Sequence, residues 1–181
     1  MTTRTRVGLL AVAAYAAAIV AANHLTHRYG LISVGFGLTA TAGTYSAGAA
    51  LMLRNQVQDL LGRRFVIGAI LLGAALSALT SPSLALASGI AFCVSELCDT
   101  AAYTPLRKRG WARAVLPASL LGATVDSLLF LWLAGFPVTV RGVAGQLLGK
   151  GWAVWVPVLL VTLLRGRRRA LPGHPVRSEG A

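Results

Sequence analysis

Three acids and one lysine stand in or beside stretches of chain that are otherwise almost wholly apolar: Glu96, Asp99, Asp126 and Lys150. Glu96 and Asp99 are three positions apart, so they share one face of a helix, and Tyr103 continues that face one turn on. Asp126 has Ser119, Gly122 and Ala123 on its own side of the following segment. Gln146 and Lys150, four apart, share a face of the last one. If these faces turn inward, carboxylates from two segments meet an amide and an ammonium from a third. The cluster can then be a set of satisfied ion pairs, with Lys150 neutralising Asp126 or Glu96, or the lining of a polar substrate site. An ionised side chain in hydrocarbon costs at least about 2.5–3.5 kcal/mol and by default marks a substrate or ion pathway. The expectation is therefore a binding site. Asp99, near the end of its segment, could instead pair with Arg107 or Arg113.

Other polar groups are less telling. Asn23 closes the first apolar run and either lines the mouth of a site or satisfies backbone. Asn55 lies in the polar stretch Arg54-Asn55-Gln56-Val57-Gln58-Asp59, which reads equally as a solvated interfacial segment or as part of a site. Thr41, Thr44 and Ser46 read as back-bonding or packing groups, and Tyr45 could face a pocket. His24 and His27 are three apart with no further ligand nearby, too few for a metal site. Cys93 and Cys98 point in different directions on one helix and cannot bridge each other. Hydrolysis finds little support. Asp99 and Asp126 lack the glycine-rich signature of an intramembrane aspartyl protease, and no histidine falls inside an expected span to serve as a base. No phosphate-cradling glycine loop is present. No metal or cofactor is expected.

The chain around these residues must be a membrane domain. Of 181 residues, 56% are hydrophobic and only 12% charged, about half the usual charged share of a soluble domain. The net charge of +12 does not point to nucleic acid, because the basic residues fall in short clusters between apolar runs. Six such runs are predicted as helical spans, at 7–22, 31–53, 65–79, 84–103, 112–134 and 143–164. Basic clusters at Arg4 and Arg6, at Arg54 to Arg64, at Arg107 to Arg113 and from Arg165 onward then fall on one side. Arg28 and Arg141 fall on the other. This asymmetry puts both termini in the cytoplasm. Residues 1–165 form one six-span domain, and 166–181 a basic tail expected to be disordered and to touch anionic lipid. Gly145 and Gly149 fit a motif for close helix packing.

Two segments carry a resemblance. Ser95-Glu96-Leu97-Cys98-Asp99-Thr100-Ala101-Ala102-Tyr103 resembles the Ser-Glu/Gln-x-x-Asp-x-x-x-Tyr/Phe segment of the queuosine-precursor transporter family, also called the vitamin uptake transporter family. After a basic loop, Ser119-Leu120-Leu121-Gly122-Ala123-Thr124-Val125-Asp126-Ser127 resembles that family's Ser-x-x-Gly-x-x-x-Asp-Ser/Thr segment. Gln146 with Lys150 is similar to a polar-residue-then-lysine pattern in its last helix. Asn55 stands where the family commonly has Asp. The resemblance implies secondary or facilitated uptake of a 7-deazaguanine base across the inner membrane. It implies an all-α bundle of six spans, similar to the S components of energy-coupling factor transporters but without an evident ATPase partner. The partners are then a small-molecule substrate and the lipid bilayer, with no nucleic acid. The residues and the resemblance together give as candidate substrate-binding residues Asn23, Asn55, Glu96, Asp99, Tyr103, Asp126, Gln146 and Lys150. A carboxylate at Glu96 or Asp126 could accept two adjacent N–H groups of a guanine-like edge. Lys150 and Gln146 could serve the ring carbonyl or the 7-substituent, and Tyr103, Trp132 or Trp152 could stack on the base. The rival readings are uptake of another vitamin or nucleobase, an intramembrane hydrolase, or a structural membrane protein whose acids are only packed ion pairs.

Overall fold

The computed structural model describes residues 3–106, 108 and 111–170. The side chains of 99, 100, 103, 104, 111–116, 155 and 157–170 lie outside the described residues. The chain runs α1 (Thr3–Tyr29), β1 (Leu31–Gly35), β2 (Leu38–Thr41), α2 (Thr44–Leu61), α3 (Arg63–Ala78), α4 (Pro82–Leu106), α5 (Trp111–Leu133) and α6 (Val140–Ala170). It is a helical bundle with one small hairpin. Each of the six expected apolar runs contributes a helix. α6 continues to Ala170, so the first residues of the expected tail prolong it, and 171–181 lies outside the described residues.

The second run is the one that departs from expectation. Residues 31–53 are not one helix. The first part is an antiparallel hairpin with Leu31 opposite Thr41, Ile32 opposite Ala40, Ser33 opposite Thr39 and Gly35 opposite Leu38. The local chemistry explains this. Ile32, Val34, Thr39 and Thr41 are β-branched and favour a pleated surface, and Gly35 and Gly37 weaken a helix. The two-residue loop has positive φ at both positions, Phe36 at 53° and Gly37 at 69°, as the mirror-image turn of a tight hairpin requires. Phe36 is 83% exposed, so its side chain gains little to offset the left-handed backbone. Phe36→Asn, which tolerates that region better, should therefore stabilise the protein by about 1 kcal/mol. That is a rise of about 2–4 °C in thermal midpoint for a chain of this size. A lowered midpoint would show that the ring itself holds the hairpin down.

α1 lies along α2 and α3, α3 packs on α4, and α4 lies along α5, while α6 packs on α2 and on the hairpin and touches α5 lightly. Ala11, Tyr15, Ala50, Val57, Val66 and Ala69 make a buried apolar core between α1, α2 and α3. The seam between α2, β2 and α6 is made of small residues. A Cβ on Gly145 would run into the Thr39 carbonyl, and one on Gly149 into the Thr44 side chain. These two glycines are the close-packing pair seen in the sequence, and they let α6 approach the backbone of β2 at Gly145 and the Thr44 side chain at Gly149.

The distribution of polarity is inverted relative to a soluble domain. Asn23, Thr26, Thr41, Thr44, Ser127, Gln146 and Lys150 are buried, while Leu10, Leu71, Leu86, Leu97, Leu120 and Trp132 face outward. An apolar exterior around a polar interior is what a lipid surrounding demands. Among the described residues α1 alone is long and apolar enough by itself to cross a membrane, with shorter apolar helical stretches at Pro82–Cys98 and Pro117–Leu133.

Candidate functional site

α6 presents Gln146 and Lys150 one turn apart on its inward face, 2% and 6% exposed. Gln146 is fixed at both ends. Its Nε2 donates to Thr41 Oγ1 at 2.8 Å, and its backbone carbonyl accepts from Thr44 Oγ1 at 3.1 Å. The end of the hairpin and the start of α2 thus grip the same residue. Lys150 Nζ donates to Asp126 Oδ2 at 2.6 Å and to Ser127 Oγ at 2.8 Å. The Ser127 hydroxyl in turn donates a hydrogen bond to the Ala123 carbonyl of α5, at 2.7 Å. Asp126 keeps 22% of its side chain exposed, so the carboxylate is paired yet reachable.

A second ion pair joins Arg54 Nη2 of α2 to Glu96 Oε2 of α4. Arg54 Nη1 also donates to Asn55 Oδ1 at 3.3 Å. Of the two readings of the stretch Arg54 to Asp59, this pairing favours the site reading for Arg54. Because the hairpin takes up residues 31–41, α2 starts late and carries Arg54 alongside α4. On the other side of the bundle Asn23 is buried and donates from Nδ2 to Ser88 Oγ at 3.0 Å.

These groups line two spaces. An inner cavity of about 90 Å³ is lined by Asn23, Thr41, Asp126, Gln146 and Lys150, with Tyr15, Phe92 and Phe130 supplying aromatic walls. A larger groove of about 740 Å³ opens along α5 and α6 and reaches the hairpin tip; Arg54, Asn55, Glu96, Asp126 and Lys150 line it. Asp126 and Lys150 border both, so their ion pair stands in the partition between the cavity and the groove. The groove falls within the range of about 300–1,000 Å³ usual for small-molecule sites.

Of the residues singled out in the sequence, Asn23, Asp126, Gln146 and Lys150 meet at the inner cavity, and Glu96 and Asn55 meet Arg54 in the groove. Asp99 and Tyr103 are on α4, but their side chains lie outside the described residues. Trp132 and Trp152 line neither space. Trp132 points outward, and the Trp152 indole N–H donates to the Val34 carbonyl at 3.3 Å, tying α6 to the hairpin. The aromatic rings at the cavity are Tyr15, Phe92 and Phe130, none of which carries a charge or motif to mark it. Tyr45 is exposed and lines neither space. His24 and His27 are exposed, and among the described residues no three His, Cys, Asp or Glu side chains gather as a metal site.

Residues 10–165 match the family described as "Putative vitamin uptake transporter". That span takes in all of the polar cluster and most of every helix. No curated protein and no solved structure matches the chain. A polar interior, an apolar exterior and a family match over most of the sequence agree, and the chain belongs to this vitamin uptake transporter family.

Proposed function

We propose that the protein carries a 7-deazaguanine base, a queuosine precursor, across the inner membrane by secondary or facilitated uptake. The observation that supports this most directly is the pairing of Asp126 with Lys150 at the border of the two spaces. The edge of a guanine-like ring presents two N–H donors followed by a carbonyl acceptor. A carboxylate beside an ammonium presents the complementary order, acceptors followed by a donor. A base at the partition shares both charges and keeps each of them hydrogen-bonded. Gln146 and Asn23 offer amide groups to the remaining polar atoms, and Phe92 and Phe130 offer apolar faces to the ring. Glu96 and Asn55 meet the base in the groove, with Asp99 and Tyr103 beyond them on α4. No ATPase partner is needed for this route.

The proposed topology has six spans and two cytoplasmic termini, in the manner of the S components of energy-coupling factor transporters. Arg63 and Arg64, where α3 begins, lie on the same side as Arg4, whose Nη2 donates to the Asp59 carbonyl near the end of α2 at 3.1 Å. Arg28 and Arg141 lie at the opposite ends of α1 and α6. The basic surplus on the first side is the cytoplasmic signature.

A second reading has its own support. Both ion pairs are closed, and a purely structural membrane protein needs no more than that. Uptake separates the two. Labelled 7-cyano-7-deazaguanine is supplied to cells unable to make it, with the wild type, Asp126→Asn or Glu96→Gln present in the membrane in equal amount. Transport predicts accumulation with the wild type and at least a tenfold loss with Asp126→Asn. Accumulation that is the same with and without the protein rejects the 7-deazaguanine reading.

A further inference from the structure

Tyr15 is completely buried in α1, its ring packed in the core with Ala11, Ala50, Val57, Val66 and Ala69. Its hydroxyl has no hydrogen-bond partner in the protein, yet the residue lines the inner cavity together with Asn23, Asp126 and Gln146. A buried tyrosine hydroxyl nearly always finds a partner, and one without a partner costs about 1–3 kcal/mol. Phenylalanine would fill the same core space at no such cost. Ser77 has a buried hydroxyl in the same condition but lines neither space, so it has no ligand to meet.

We infer that the Tyr15 hydroxyl is a ligand contact of the inner cavity, donating to an acceptor atom of the bound base. This rests on the transport reading above and adds a binding residue to it on α1, opposite the charged faces of α5 and α6. The hydroxyl selects for a ligand that carries a polar atom deep in the cavity. An apolar ring of the same shape would leave the hydroxyl as it is in the empty protein and would gain nothing from it.

The test compares purified full-length wild type with Tyr15→Phe in two measurements, thermal unfolding without ligand and calorimetric binding of 7-cyano-7-deazaguanine. The expected result is an unfolding midpoint equal to or above that of the wild type, with binding weakened about tenfold, the size of one neutral hydrogen bond. Equal binding by the two proteins overturns the inference and leaves the transport reading standing. A lowered midpoint without ligand also overturns it, because the hydroxyl is then held by the protein itself. A wild type that does not bind the probe overturns both.

Discussion

Lys150→Met should abolish uptake and destabilise the protein by about 3–5 kcal/mol, whereas adding Asp126→Leu should restore most of the stability and none of the uptake. The first half follows from burial. Lys150 is 6% exposed and its ammonium is bonded to Asp126 and Ser127, so removing it strands a carboxylate inside the bundle, the costly way to break a buried pair. The second half follows from the same principle read the other way. Replacing both partners by apolar groups of similar volume is often neutral or better, because neither charge then has to be desolvated. A pair kept only for packing is thus dispensable as a pair. A pair that reads the edge of a substrate is not. Thermal unfolding of the purified variants beside an uptake assay checks both halves, and a double variant that regains uptake would assign the pair to packing alone.

The second large effect is at the seam. Gly145→Ala should cost about 1–3 kcal/mol, the usual cost of forcing an extra methyl into a filled interior. The new Cβ meets the Thr39 carbonyl of β2, a backbone atom that cannot rotate aside as a side chain would. Relieving the clash pushes the hairpin off α6 and draws Thr41 away from Gln146. Gly68→Ala is the control. It lies in α3 with nothing within 4 Å of its added Cβ, so helix propensity alone acts and stabilises by up to about 1 kcal/mol. Midpoints that move in opposite directions confirm that the glycine at 145 is there for close approach. Equal shifts would mean that the hairpin yields freely.

The charged part of the site was legible because charge in an apolar chain is expensive. Glu96, Asp126 and Lys150 stood out against their neighbours, and the four-residue spacing of Gln146 and Lys150 placed both on one helical face. Gly145 and Gly149 could be read for the same reason, since small residues at that spacing have few other uses between helices. The hairpin was not legible from hydropathy, which scores Leu31 to Thr41 as apolar whether it pleats or coils. The β-branched alternation and the Gly35-Phe36-Gly37 triplet were the signal, and they contradicted the assumption that every apolar run is a helix. The pairing of Arg54 was hidden for the same reason. With a helix expected over 31–53 that residue stood just outside a span, while the late start of α2 brings it beside Glu96. Tyr15, Phe92 and Phe130 were silent because an aromatic residue in an apolar run looks the same whether it meets lipid, core or cavity.

The two ion pairs have an order to them. Both cations, Arg54 and Lys150, stand on α2 and α6, and both of their carboxylates, Glu96 and Asp126, stand on α4 and α5. α2 and α6 are therefore clasped to α4 and α5 by two prongs of the same polarity, and both prongs line the groove. Any rocking of α4 and α5 away from α2 and α6 would have to unfasten both prongs. A guest lodged at Asp126 and Lys150 would borrow the charges of one prong and loosen the clasp from inside, so that filling the cavity and parting α4 and α5 from α2 and α6 would be coupled through charge.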